Sequence, residues 1–273
     1  MAVLYRTGYH DTTLTLGPKG YALPSEACLC ERHGPVAIVR LNRPDKHNAI
    51  NRELSQAMVG HLDALAADDD VRAVIITGAG ERAFCAGADM TEAVLAREIG
   101  GPGDGAVDVV LRVARYPKPI IAAVNGYAYG GGAVLAIACD LRIAAHTARF
   151  LFPGATYGLV VGGSQLPRIV GPAGAKDLIF SARVVEAPEA LRLGLVNEIV
   201  ALPDLEERAL EVAQRIAEHS PEAVRASKEV IDAALPLAEA GQRELEANRR
   251  LRSSEEHRRR FRAATDRVAG RRP

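Results

Sequence analysis

The residues best suited to chemistry form a glycine turn between an apolar run, Ile120 to Val124, and a helical stretch, Ala133 to Ala138. The consecutive glycines Gly130 to Gly132 let a ligand or another backbone approach where a Cβ would block it. The first amides of a helix have no internal partner and carry the positive end of its dipole, so they can stabilise an oxygen that becomes negative. One turn further stands Val134, where a carboxylate could transfer protons. The sequence therefore predicts an anion-stabilising site that lacks its proton-transfer group.

The elements that position this turn alternate between strand and helix. Asn51 is expected to cap a helix, because apolar residues recur at helical spacing after it. Apolar runs predict strands at Val36–Leu41, Val71–Thr77, Ile120–Val124 and Leu141–Ala145. Such alternation implies βαβ units with right-handed crossovers and a mostly parallel sheet, whereas the chain past Pro188 is helical in pattern. The sequence therefore predicts an α/β core followed by a helical C-terminal part.

Three cap signals mark the starts of C-terminal helices. Asp204 with Glu207, and Ser253 with Glu256, have the spacing of capping boxes. Ser220-Pro221 is typical of an N-cap followed by proline at the first helical position.

Composition and charge exclude several classes of protein. The 273 residues are 48% hydrophobic and 25% charged, with a formal net charge of zero, so no whole-molecule field attracts nucleic acid or a membrane. The stretch from Met1 to Tyr21 lacks the apolar core of a signal peptide, and no apolar run reaches the roughly 20 residues of a membrane span. The four cysteines have no zinc-ligand spacing, and Cys28 and Cys30 fit a strand with buried or edge thiols. We expect a cytoplasmic protein without a metal site.

Several segments in one order carry a resemblance to a known family. They are Leu41–Asn51, Ala83–Met90, Lys118–Tyr127, Gly130–Gly132 and Ala190–Asn197. Together they resemble the crotonase, or enoyl-CoA hydratase/isomerase, superfamily. The resemblance implies a crotonase-like spiral of ββα units followed by a helical C-terminal trimerisation region. It divides the chain into an N-terminal extension (residues 1–26), an α/β core with an acyl-CoA site (27–200) and a helical C-terminal region (201–273).

The resemblance also implies the residues of the site. In this family two backbone amides hold the thioester oxygen, and they correspond here to Ala88 and Gly131. The expected substrate-binding positions are His47, Ala86, Ala88, Asp89, Met90, Gly130 and Gly131. Coenzyme A enters as part of the substrate, and no other cofactor is expected.

Two departures from the family pattern concern its proton-transfer groups. Members that hydrate an enoyl double bond use two glutamates, and the matching positions here are Val134 and Gly154. A positioned acid or base commonly contributes about 10²–10⁴-fold, so losing both should remove efficient hydration. Tyr129 and Tyr157 are the candidate replacements, although each also fits a packing role.

Three functions remain open, and the first is favoured. The first is an enzyme that forms an enolate without paired glutamates, for example by decarboxylating a malonyl-type thioester. The second is a non-catalytic acyl-CoA-binding protein. The third is a weak hydratase or isomerase that uses tyrosine or water. We expect a homo-oligomer, either a trimer or a dimer of trimers.

From Arg249 to Pro273 ten arginines outnumber three acidic residues. They form either a solvated helix face or a contact to the CoA phosphates.

Overall fold

The computed structural model of the chain describes residues 25–92, 105–234 and 238–268. Its strands are β1 (Cys28–His33), β2 (Val36–Leu41), β3 (Ala73–Gly78), β4 (Ala83–Cys85), β5 (Ile120–Val124), β6 (Tyr127–Tyr129), β7 (Leu141–Ala145), β8 (Arg149–Leu151), β9 (Val185–Glu186) and β10 (Glu198–Val200). Its helices are α1 (Arg52–Ala67), α2 (Ala106–Ala114), α3 (Gly131–Ala138), α4 (Pro167–Ser181), α5 (Ala187–Arg192), α6 (Leu205–Ala217), α7 (Pro221–Ala234), α8 (Ala238–Arg252) and α9 (Glu255–Val268).

The strands form two sheets. The larger has the order β1-β2-β3-β5-β7-β10, and the smaller has the order β4-β6-β8-β9. Pairing is parallel except at the β1/β2 hairpin and between β8 and β9. Each repeat contributes its first strand to the larger sheet and its second to the smaller one, as in β5-β6-α3 and β7-β8-α4. The predicted α/β fold of ββα units is therefore confirmed.

The sequence patterns missed the edge strand β10, which lies in the stretch past Pro188 that was predicted to be helical. They also missed the smaller sheet. Its strands are only two or three residues long, too short for a period-two alternation to stand out. No strand was predicted at β4, which lies between two of the predicted strands. The four longer predicted strands all lie in the larger sheet.

Helix α1 forms for the predicted reason. The side-chain Oδ1 of Asn51 accepts a hydrogen bond from the Leu54 amide at 2.9 Å, which satisfies one of the unpaired donors at the helix start. The helix buries one apolar face on the core, formed by Leu54, Met58, Leu62 and Leu65.

The C-terminal cap predictions had mixed outcomes. Ser220 accepts from the Ala223 amide at 3.3 Å at the start of α7, as predicted. The prediction for Asp204 was wrong, because its side chain makes no cap hydrogen bond. The prediction for Ser253 was wrong by one residue, since Ser254 Oγ accepts from the amide of His257 in the first turn of α9.

Helix α6 belongs to the core of the chain itself. Leu205, Ala209 and Ala213 are buried against the larger sheet, in one cluster with Val36 and Ile75. Part of the C-terminal region that the resemblance assigned to trimerisation is therefore covered by the chain's own sheet. The following helix differs, because α7 leaves the apolar side chains Val230 and Ile231 exposed by 70% and 66%.

The cysteines occupy interior and edge positions. Cys28 is buried and Cys30 half-buried on the edge strand β1, and burial raises the pKa of their thiols to about 12 and about 11. Within the described residues, no cluster of three or more His, Cys, Asp or Glu side chains could hold a metal ion. None of the helices described is both long and apolar enough to cross a membrane.

Candidate active site

A cavity of about 1150 Å³ opens where the ββα units and the C-terminal helices meet. It is lined by every residue that the sequence assigned to the site, namely His47, Ala86, Ala88, Asp89, Met90, Tyr129, Gly130, Gly131 and Tyr157. They come from the segments after β2 and β4, from β6 and the start of α3, and from the turn after β8. The fold thus gathers residues more than a hundred positions apart around one cavity.

Two backbone amides lie side by side on the cavity wall. A Cβ built on Gly131 would lie 3.6 Å from the Ala88 nitrogen, and a Cβ built on Gly87 would lie 2.9 Å from the Gly131 nitrogen. Neighbouring bonds hold the Ala88 segment in place, because the Ile50 amide donates to the Gly87 carbonyl at 2.7 Å. Among the described residues, the N–H groups of Ala88 and Gly131 have no hydrogen-bond acceptor. Both donors are therefore available to an oxygen in the cavity.

The glycine turn allows this approach. A Cβ on Gly132 would lie 2.0 Å from the carbonyl oxygen of Cys85, so only glycine lets the start of α3 pack this closely on β4. Gly130 adopts a φ of 55°, a left-handed value that side chains rarely take. These glycines therefore allow the close approach that the sequence predicts for them. The sequence did not indicate that the neighbouring strand would be β4.

Val134 and Gly154 have different surroundings. Val134 lines the cavity as an apolar side chain, and its Cγ2 lies 3.6 Å from where a Cβ on Gly162 would be. Gly154 is buried, and a Cβ there would meet the Leu159 carbonyl oxygen at 2.7 Å and the Val161 nitrogen at 2.8 Å. The backbone of residues 159–161 therefore fills the space beside Gly154. A larger side chain at Gly154 would require that segment to move.

Two of the aspartates on the cavity wall, Asp89 and Asp232, already have partners. Asp89 forms an ion pair with Arg43 at 2.9 Å, and its other oxygen accepts from the Thr91 amide at 3.1 Å, at the start of a helical turn. Asp232 lies 3.8 Å from a guanidinium nitrogen of Arg168. Both oxygens of the Asp89 carboxylate are therefore engaged by the chain itself.

The two tyrosines differ in their contacts. The Tyr129 ring stacks on Tyr127 with centroids 5.3 Å apart. Burial raises the Tyr129 pKa, and Arg149 beside the pair opposes that shift only in part. The Tyr129 phenol is therefore protonated at neutral pH and able to donate. Tyr157 ends a short 3-10 turn, and its backbone carbonyl accepts a hydrogen bond from Nδ1 of the buried His257 at 2.6 Å.

The C-terminal helices complete the wall, which the sequence did not predict. Glu244 on α8 accepts from the amides of Gly162 at 3.0 Å and Ser164 at 2.8 Å. Asn248, one turn later, bonds both the amide of Val160 at 2.9 Å and its carbonyl at 2.8 Å. Helix α8 is predominantly polar, so no apolar periodicity distinguished these two residues from solvated ones.

The arginine-rich end of the chain is only partly directed at the cavity. Arg252 lines it, whereas Arg260 pairs along its own helix with Glu256 at 2.9 Å. The solvated-face interpretation therefore fits Arg260, and a contact to a ligand remains a prediction for Arg252.

Comparisons with known proteins agree with this architecture. A family model described as enoyl-CoA hydratase/isomerase matches residues 31–272. The chain is 43% identical over 209 residues to a short-chain-enoyl-CoA hydratase of Clostridium acetobutylicum, covering 75% of this chain and 80% of that protein. A solved carnitinyl-CoA hydratase from Mycobacterium avium superposes with a TM-score of 0.79 at 35% identity, over 92% of this chain and 98% of that one. A solved monofunctional enoyl CoA isomerase from M. smegmatis superposes with a TM-score of 0.67 at 36% identity, over 77% of this chain and 94% of that one.

Proposed function

Because the chain belongs to the enoyl-CoA hydratase/isomerase family, we propose that its cavity binds an acyl-CoA thioester whose carbonyl oxygen accepts hydrogen bonds from the Ala88 and Gly131 amides. The observation that carries this proposal is a pair of adjacent N–H groups on the cavity wall that have no acceptor in the part of the chain that the structure describes. Donors fixed in place before the reaction stabilise an oxygen that gains charge at little reorganisation cost. A thioester enolate has its charge on that oxygen.

The reaction best suited to this site forms the enolate without removing a proton. In a malonyl-type thioester the bond between the α-carbon and the carboxylate breaks, and CO₂ leaves. The bonding electrons pass into the enolate, whose oxygen the two amides stabilise. The α-carbon then takes a proton from the Tyr129 phenol or from water, and solvent restores the phenol. The apolar Val134 neither repels nor solvates the substrate carboxylate.

Efficient hydration is disfavoured by the same residues. Adding water across a double bond needs one group to activate the water and another to protonate the α-carbon. We assign these two positions to Val134 and Gly154, which carry no ionisable group. The relatives therefore support the family of this chain, and the residues at positions 134 and 154 argue against hydration as its reaction.

A second candidate is a non-catalytic acyl-CoA-binding protein. The observation that favours it is the backbone of residues 159–161, which fills the space beside Gly154 with the chain's own atoms. Such a protein would bind the thioester and polarise its carbonyl without turning it over.

The experiment separates these candidates with one pair of variants. Gly131→Pro deletes the amide donor at the first helical position, where proline is otherwise tolerated. Gly131→Ala keeps the donor and adds a Cβ whose nearest neighbour is 3.4 Å away. The carbonyl stretch of a ¹³C-labelled acyl-CoA thioester should shift to lower frequency on binding to the wild type and Gly131→Ala, and much less with Gly131→Pro.

Turnover is then measured on the same proteins. Release of CO₂ from malonyl-type thioesters, or exchange of the α-hydrogen with deuterium from D₂O, indicates an enzyme that forms enolates. A carbonyl shift without either reaction supports the binding protein. Failure of the wild type to bind any acyl-CoA in calorimetry would refute the proposal as a whole.

We also propose assembly as a trimer or a dimer of trimers. The exposed Val230 and Ile231 on α7 support a contact between subunits in this region.

A further inference from the structure

Helix α8 presents one continuous face to the cavity. Its cavity-lining residues are Gly241, Gln242, Glu244, Leu245, Asn248 and Arg252. The spacing of all of them except Gln242 places them on one side of the helix. Among the described residues, this face, Asp232 on α7 and Phe261 on α9 supply the part of the wall that comes from the C-terminal helices. The face on α8 is therefore in a position to select among ligands.

Two residues of this face fix it to the core. Glu244 and Asn248 make hydrogen bonds of 2.8 to 3.0 Å to the backbone of Val160, Gly162 and Ser164. The segment they hold also reaches the reaction site, because Gly162 adjoins Val134. Helix α8 and segment 160–164 are thus joined as one wall.

The cavity that this wall borders has, as a whole, more apolar than polar surface. Side chains that contribute to it are Val110, Leu111, Val134, Val161, Leu245 and Phe261. At Gly241, no atom of the described residues lies within 4 Å of where a Cβ would be, so that position borders open space. A flexible hydrocarbon chain matches such a lining better than a polar or charged group.

We propose that α8 is the specificity-determining wall for the acyl group, that Gly241 leaves room for an extended unbranched hydrocarbon chain, and that the Glu244–Asn248 pair positions this wall. This inference rests on the proposed acyl-CoA site and adds its substrate class. The acyl chain lies along α8, and the side chain at position 241 sets the longest chain that fits.

The test measures calorimetric affinities for saturated acyl-CoAs from butyryl to hexadecanoyl. With the wild type, affinity should rise about fourfold per buried methylene and then level off. Gly241→Leu adds four carbons to the wall, so the affinity should stop rising at a shorter acyl chain than in the wild type. For the longest acyl groups the affinity should fall by roughly tenfold or more. Butyryl-CoA affinity should be unchanged. Gly241→Ala should act weakly in the same direction, and Leu245→Ala should extend the preferred chain length.

Ala240→Leu is the matched control, because Ala240 is exposed on the same helix beside Gly241. This variant should leave the dependence of affinity on acyl-chain length unchanged. If Gly241→Leu and Leu245→Ala both leave the length profile of the wild type intact, the inference is wrong while the acyl-CoA site stands. If the wild type fails to bind even butyryl-CoA, the proposed function and this inference fail together.

The positioning role of Glu244 has its own measurement. Glu244→Ala removes the acceptor of the Gly162 and Ser164 amides, so their hydrogen exchange should accelerate about ten- to a hundredfold. The dependence of affinity on chain length should become shallower as well. Glu246→Gln changes the same charge at an exposed position of α8 and should do neither. Unchanged exchange and an unchanged length profile in Glu244→Ala would overturn this role.

Discussion

Replacing Gly154 with glutamate should destabilise the fold instead of simply returning a carboxylate to the cavity. Gly154 is buried, and its neighbours at 2.7 and 2.8 Å from a new Cβ are the backbone atoms Leu159 O and Val161 N. Backbone atoms cannot rotate away as the end of a side chain can. Segment 159–161 must therefore move for any residue larger than glycine.

The expected magnitude follows from this contact. Forcing extra atoms into a packed site costs about 1–3 kcal/mol. For a chain of this size each kcal/mol lowers the melting temperature by roughly 2–4 °C, so Gly154→Glu should melt about 2–12 °C below the wild type. Gly154→Ala should show a similar loss, because the Cβ itself makes the close contacts. Val134→Glu should melt near the wild-type temperature, since that side chain borders the cavity.

Hydration of crotonyl-CoA is then measured in each variant. The two carboxylates act as a unit, so either single variant should remain close to the wild type. The double variant Val134→Glu/Gly154→Glu should gain detectable hydration, yet stay well below the ~1–10³ s⁻¹ of ordinary enzymes because its second carboxylate is displaced. The matched double glutamine variant controls for side-chain volume.

One result would refute this reasoning. The double glutamate variant could hydrate crotonyl-CoA at an ordinary enzymatic rate and have the melting temperature of the wild type. In that case residues 159–161 could not be filling the space beside position 154. A loss of stability in Gly154→Glu but not in Gly154→Ala would show that the cost comes from burying the carboxylate.

Further expectations concern hydration, assembly and alkaline stability. Wild-type turnover of crotonyl-CoA, followed by loss of the enoyl absorbance, should be negligible; a rate in the ~1–10³ s⁻¹ range would contradict the assignment of Val134 and Gly154. Light scattering should give a mass in multiples of three chains, and a monomer at micromolar concentration would rule out this assembly. Burial raises the pKa of Cys85 from 9.0 to about 12, so its contribution to stability is complete below pH 9 and is lost as the pH rises toward 12. Denaturant unfolding should therefore show a falling free energy of unfolding above pH 9, less steeply in Cys85→Ala; equal slopes would contradict the linkage.

The sequence alone was sufficient for four strands of the larger sheet, for α1 and for the glycine turn. The strands of that sheet are five or six residues long where they were predicted, and an apolar run of that length is visible without a partner. The Asn51 cap and the three glycines depend on local backbone geometry, which local residue types determine. The residues assigned to the site by family resemblance also lie together on one cavity.

Only the tertiary structure decided what surrounds those residues. The second sheet has strands too short to produce a pattern, and it exists because the larger sheet and the helices bring them together. The space beside Gly154 is filled by backbone five to seven residues away, which residue identity at position 154 does not indicate. Glu244 and Asn248 act on a segment some 80 positions earlier. Such contacts depend on how helices pack in three dimensions, and a polar helix gives no periodic signal of which face it will bury.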